Sequence, residues 1–219
     1  PPPPPPGFEQ GKIKGEGVRI GHPDSGYRHH IDYFTLPNNP PRHVRTDLEK
    51  DYIDGTLPAL NVDGDHGLST GSVIMSSNAT GNVNGVAPEA EIVPLRVTRR
   101  RAGLPAPILF WSGARALRKA IGYATNEADC HVISISLGWF RNRSLHRAIK
   151  DAESKNVIVC AAAGNYTVIV AWPAAYAEVI AVAGCNSQRR KWGPSASGPE
   201  VAVSGPAEAV WVPTPSPAQ

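Results

Sequence analysis

The chain has 219 residues, 41% hydrophobic and 19% charged, with a formal net charge of +3. That length makes one large domain or two small ones, and that composition can bury a core, which excludes a disordered or fibrous chain. The small net charge gives no argument for a nucleic-acid partner, and no apolar run approaches the roughly 18 residues that would cross a membrane.

Pro1 to Pro6 form a polyproline tract, so residues 1–11 read as an extended tail or linker ahead of a domain at 12–212. The chain opens on Pro1 instead of Met, which is not a gene's own start and leaves room for a lost leader. The first predicted strand is GVRIG (17–21), followed by Asp24-Ser25-Gly26. The stretch DGDHGLSTGS (63–72) then places His66 at the opening of a predicted helix of small residues. It also contains Gly67-Leu68-Ser69-Thr70-Gly71, a G-x-S-x-G pattern that would nominate Ser69 as a hydrolase nucleophile. AEIVPLRV (90–97) is the next strand, and RVTRRRAG (96–103) is a charge run that reads as a solvated loop. From 112 to 129, Leu117, Ala120, Ile121, Ala124 and Ala128 share one helical face. HVISISLG (131–138) is a strand, and Leu145, Ala148, Ile149 and Ala152 mark another helix, with Ser144 as its expected N-cap. NVIVCAAAG (156–164) and EVIAVAG (178–184) are two more strands, and 213–219 is an irregular end.

The strands are β-branched and nearly continuous in their hydrophobicity, as buried parallel strands are. Their alternation with helices predicts an α/β fold, doubly wound around a mainly parallel sheet. In such a fold the site lies beyond the carboxyl ends of the strands. Asp24, Ser136 to Gly138 and Asn165 all fall there. A carboxylate at Asp24 could orient a histidine, His66 could be a base with small neighbours that let substrate approach, and Asn165 could donate to an oxyanion. Each also has an ordinary reading: Asp-Ser-Gly as a turn, a lone surface or core histidine, a turn asparagine. Cys130, Cys160 and Cys185 are odd in number and widely spaced, which favours buried thiols over a disulfide and makes no metal motif.

Taken together and in this order, the motifs resemble the subtilisin-like serine proteases. GVRIGHPDSGY is similar to their aspartate motif, DGDHGLSTGS to their histidine motif and VIVCAAAGN to their oxyanion-asparagine motif. VISISLGW resembles the strand whose edge binds substrate backbone, through Ser136, Leu137 and Gly138. NGVAPEAEIVPLRV, WPAAYAEVIAVAG and SGPEVAVSGP resemble further core segments of that family, with VAVSGP matching the segment just before its nucleophile. The resemblance implies a subtilisin-like fold with helices on both faces of the sheet. It implies a serine endopeptidase acting on peptide or protein substrates, with Asp24 as orienting acid, His66 as general base and Asn165 as oxyanion donor. It is compatible with secretion.

The sequence also departs from the pattern. No Gly-Thr-Ser, the family's nucleophile motif, occurs in the 219 residues. The expectation is a subtilase lacking its C-terminal part, inactive as it stands, with the serine outside the chain. GPSASGP (193–199) mimics the nucleophile spacing and would nominate Ser195, but the next residues read as a strand instead of the required helix. The alternatives are a non-catalytic peptide-binding module and an α/β-hydrolase using Ser69. Arg19, His22 and Pro23 stand where the family's aspartate strand is more apolar, and Leu68 replaces a Thr. No cofactor is expected to be required. Calcium, which the family often binds, has one matching candidate in Asp32, while the polar residues of SSNATGNVNG fall off its ligand positions. Leu137 and Trp139 hint at a hydrophobic site.

Overall fold

A computed structural model describes residues 14–27, 43–55, 66–76, 85–98 and 111–212. Seven strands form one wholly parallel sheet in these segments: β1 (Arg19–Asp24), β2 (Lys50–Asp51), β3 (Glu91–Arg96), β4 (Val132–Ile135), β5 (Ile158–Ala162), β6 (Ile180–Cys185) and β7 (Val201–Pro206). Three helices accompany them: α1 (His66–Met75), α2 (Trp111–Asn126) and α3 (Arg143–Ser154). The strand order is β2-β3-β1-β4-β5-β6-β7. The chain therefore builds one side of β1 first, then crosses through α2 to build the other. This crossing makes a topological switch point beside β1, and the carboxyl ends of β1 and β4 border the crevice it opens.

Register explains how the two faces are covered. On β3, Val93 and Leu95 join the large core with Leu117 and Ile121 of α2 and Leu145 and Ile149 of α3. Ile92, pointing the other way, joins a smaller core with Ile20 of β1 and with Leu68 and Met75 of α1. Helices thus lie on both faces, as expected. The second face is covered by α1 only near β1 and β3. Ile158, at 50% exposure, and Val203, at 51%, lie uncovered further along the sheet.

Several boundaries differ from the sequence reading. β1 runs through Asp24, so the acid is the strand's last residue and not one of a following turn. β4 ends at Ile135, which leaves Ser136 to Gly138 beyond the sheet pairing. The N-cap of α3 is Asn142, not Ser144: its Oδ1 accepts from the backbone N–H of Ser144 and Leu145, each at 3.0 Å. Its backbone is extended there, as a cap requires, whereas Ser144 already lies within the helix. β2 has no counterpart among the expected strands, because two residues carry no periodicity. Cys130 is buried, Cys160 and Cys185 are half-buried, and all three are free thiols. The charge run at 99–103, Asp32 and the 77–84 loop fall outside the described residues.

Candidate active site

The site begins at the end of β1, where Asp24 is 1% exposed and His66 reaches it from the first residue of α1. Asp24 Oδ1 lies 2.7 Å from His66 Nδ1 and also accepts the Ser25 N–H at 2.6 Å. An ionised carboxylate is acceptor-only, so Nδ1 must carry the hydrogen and Nε2 is left as the basic nitrogen of the neutral ring. The ring is 34% exposed, half sheltered and still reachable. Burial opposes charge on both groups, but their mutual attraction and hydrogen bond overcome it: Asp24 is held below the ordinary carboxylate range and His66 is raised above an ordinary histidine.

Small residues after His66 have a structural reason that differs from substrate access. A Cβ on Gly67 would fall 2.3 Å from the Gly26 carbonyl oxygen, and one on Gly71 would fall 2.8 Å from the Tyr27 hydroxyl. The glycines face inward and let α1 lie directly on the chain leaving β1. Ser25 Oγ accepts the Gly67 N–H at 2.9 Å, which ties the two motifs together. Leu68, in place of a Thr, is buried in the smaller core.

A cavity of about 520 Å³ opens beyond the strand ends and is lined by His66, Ser136, Asn165 and Val182 among others. Asp24 stands behind His66, so the fold brings Asp24, His66, Ser136 and Asn165 to one place, while Leu137 and Gly138 do not line this cavity. A larger hollow of about 860 Å³, around Cys185, Arg189 and Lys191, touches none of these residues. Asn165 is exposed just past β5. β4 and β5 pair as far as Ile135 and Ala161, then diverge. Ala171 and Trp172 wedge into the gap: Ala171 N–H donates to Ala163 O at 2.8 Å, and Trp139 and Trp172 exchange backbone bonds of 2.7 and 3.1 Å. Gly138 and Gly164 flank this gap, and the Ala171 methyl lies 3.1 and 3.4 Å from where their Cβ atoms would be. Leu137 is buried in the core, so it does not make the site hydrophobic.

Neither of the two nominated serines stands in nucleophile context. The whole Gly67–Gly71 pattern lies inside α1, so Ser69 is not on a strand-to-helix elbow. Ser195 is 3% exposed, accepts the Gly184 N–H at 2.8 Å and donates to Ala196 O at 3.1 Å. The segment after it forms β7, not a helix. Sequence reasoning missed Arg96. It is the lateral neighbour of Asp24 in the sheet, yet its guanidinium is bound by Asp51 Oδ2 at 2.8 Å and Asp54 Oδ2 at 2.7 Å. That pairing neutralises a buried charge beside the acid. Among the described residues no group of three His, Cys, Asp or Glu could hold a metal. No described helix is long and apolar enough to cross a membrane.

A hydrogen-bonded Asp–His pair at a switch point and an exposed amide thus stand together on a wholly parallel sheet. The chain belongs to the subtilase family, whose model matches residues 15–214. It is 28% identical over 197 residues to the thermostable alkaline protease of Halalkalibacterium halodurans, covering 89% of this chain and 48% of that protein. It is 33% identical over 132 residues to the major intracellular serine protease of Bacillus subtilis, covering 57% of this chain and 39% of that one. The crystal structure of MycP1 with its N-terminal propeptide removed has the same fold, with a TM-score of 0.67 at 21% identity, covering 89% of this chain and 65% of that one. The chain spans about half the length of the first of these relatives.

Proposed function

We propose that this chain carries the acid, the base and the oxyanion donor of a serine endopeptidase of the subtilisin type, and that its nucleophile comes from a Gly-Thr-Ser segment absent from the 219 residues. The observation that carries the reading is the Asp24–His66 bond of 2.7 Å, at a strand end that shares a cavity with Asn165. Asp24 would hold the ring and favour the imidazolium. Nε2 would take the serine proton as the oxygen attacks the scissile carbonyl, then return it to the leaving amine. The Asn165 amide would donate to the oxyanion formed between these steps. Water would then hydrolyse the acyl-enzyme, with His66 again the base.

Substrate backbone would pair with Ser136 to Gly138 as an added strand. The residue contributing the scissile carbonyl, held at Asn165, would then direct its side chain between Gly138 and Gly164. The Ala171 methyl beside both glycines would floor that space and suit a small side chain. Relatives include proteases named extracellular and intracellular, and secretion is proposed on the resemblance alone. No calcium step is proposed.

The test is to read the coding sequence beyond Gln219, express the chain joined to the downstream segment it encodes and assay hydrolysis of a peptide library. Cleavage after small residues supports the reading. Peptide binding without cleavage, in a protein with no further serine motif, would make this a subtilase-like binding module instead.

A further inference from the structure

His22 is a fully buried histidine two strand positions before the acid, and the proposed reaction does not use it. It sits on β1 beside Asp24 and faces Tyr27, Thr70, Asp24 and, beyond it, His66. Asp24 Oδ1 has two donors, Ser25 N–H and His66 Nδ1–H. Oδ2 takes the Thr70 hydroxyl at 3.1 Å, whereas His22 Nε2 is 3.8 Å from it, too far to bond. A hydroxyl has one hydrogen, and Thr70 Oγ1 also lies 3.0 Å from His66 O, the helix carbonyl four residues back that commonly captures it.

His22 Nε2, 3.2 Å from Thr70 Oγ1, decides where that hydrogen goes. If Nε2 carries hydrogen, it donates to Oγ1, and the hydroxyl hydrogen goes to Asp24 Oδ2, whose charge makes it a stronger acceptor than the neutral His66 carbonyl. If Nε2 is bare, it draws the hydrogen off Asp24 and leaves a buried carboxylate oxygen short of a donor. The Tyr27 hydroxyl is bonded to the other ring nitrogen, Nδ1. Donation by Tyr27 to Nδ1 fixes the hydrogen on Nε2.

We propose that Tyr27, His22 and Thr70 form a buried relay that supplies the second oxygen of Asp24 with its donor, making His22 a positioning residue for the Asp24–His66 pair. The proposal rests on reading that pair as the acid and base of the site. Burial supports it by holding His22 neutral, with its pKa lowered to about 4.

The test uses the 219-residue chain labelled with ¹⁵N-histidine. Long-range ¹H–¹⁵N spectra report the tautomer of each ring, and the Nδ1 proton of His66 reports its bond to Asp24. We expect neutral His22 with hydrogen on Nε2 at neutral pH. Tyr27→Phe should shift His22 toward the other tautomer. Thr70→Val should move the His66 Nδ1 proton, and Thr70→Ser should restore it, with backbone spectra unchanged. Hydrogen on His22 Nδ1 in the wild type, or a His66 proton indifferent to both Thr70→Val and Tyr27→Phe, overturns the relay while leaving the acid-base pair intact. A folded wild type with no bonded His66 Nδ1 proton would overturn the pair itself, and the relay with it.

Discussion

The two halves of one sheet face are finished to different degrees. Over β1 and β3, α1 covers the face, Leu68 and Met75 fill the core, and both Asp24 oxygens have donors. Over β5 to β7 the same face leaves Ile158, Ile180 and Val203 exposed, and Asn165 stands at its rim. The opposite face is covered by α2 and α3 over its central strands, against Val93, Ile133 and Val159. The Asp24–His66 pair is therefore held by groups the chain contains, whereas the Asn165 amide faces open space. The missing nucleophile and the uncovered strands are, on the proposed reading, one absence.

The comparison is tested hardest at the finished end. In a complete, active protein His66→Ala should lower kcat by roughly 10⁶-fold, the scale set by subtilisin itself. Peptide hydrolysis and circular dichroism check it: near wild-type turnover in a folded variant would remove His66 as the base. At the open end Asn165→Ala should cost roughly 10²–10³-fold in kcat with little change in KM, again a magnitude that subtilisin supplies. Steady-state kinetics separate the two parameters, and a loss confined to KM would place Asn165 on ground-state substrate. Between the two ends, Ala171→Gly should raise kcat/KM for a substrate with a larger side chain at the scissile residue by roughly tenfold relative to alanine, the scale of one carbon in a pocket. An unchanged ratio would mean that the Ala171 floor does not limit the slot.

Stability sharpens the same contrast. Ile121→Ala, on the closed face, should cost about 2–5 kcal/mol in urea denaturation of the 219-residue chain. Val203→Ala, on the open face, should stay within about 0.5 kcal/mol. Equal losses would mean that the second face is covered in solution.

Acid titration also probes the finished end. His22 has a folded pKa of about 4 against an ordinary 6.5, so the unfolded chain binds the proton first. Stability should fall by roughly 3 kcal/mol from this residue as pH drops from about 6.5 to 4. His66 has the opposite sign: raised on folding, it contributes below its unfolded value and loses that contribution as pH climbs through its folded one. Asp24, lowered on folding, contributes above its unfolded value and loses that only as pH falls through its folded one. His22→Gln should flatten the limb between about 6.5 and 4, read from urea curves across pH; an unaltered slope would place His22 outside a dry site.

The placing of Asp24, His66, Asn165 and Ser136 at one end of the sheet was legible because each sits in a short local motif, and strand alternation gave the sheet. The order of strands and the cover on each face are not local properties. Arg96 is held by Asp51 and Asp54 from more than forty residues away. Nothing in the neighbourhood of any of the three announces the pairing. His22 read only as a departure from an apolar strand, since Thr70 comes from a separate segment and Tyr27, five residues on, meets it only through the path of the chain leaving β1. The Ala171 floor was hidden because it forms where β4 and β5 separate. The glycines after His66 were visible, but their contacts with Gly26 and Tyr27 required the packing of α1.

The most direct measurement is to treat the purified 219-residue chain with a fluorophosphonate probe, which labels activated serines, and to map any modified residue by mass spectrometry. The prediction is no labelling, because an activated serine needs hydrogen-bond contact with its base, while Ser195 is bonded to Gly184 and Ala196 and Ser69 lies within α1. Restoring a downstream Gly-Thr-Ser segment should then produce labelling at its serine and nowhere else. Stoichiometric labelling of the 219-residue chain at Ser195, or at Ser69, would contradict the claim that the nucleophile lies outside it.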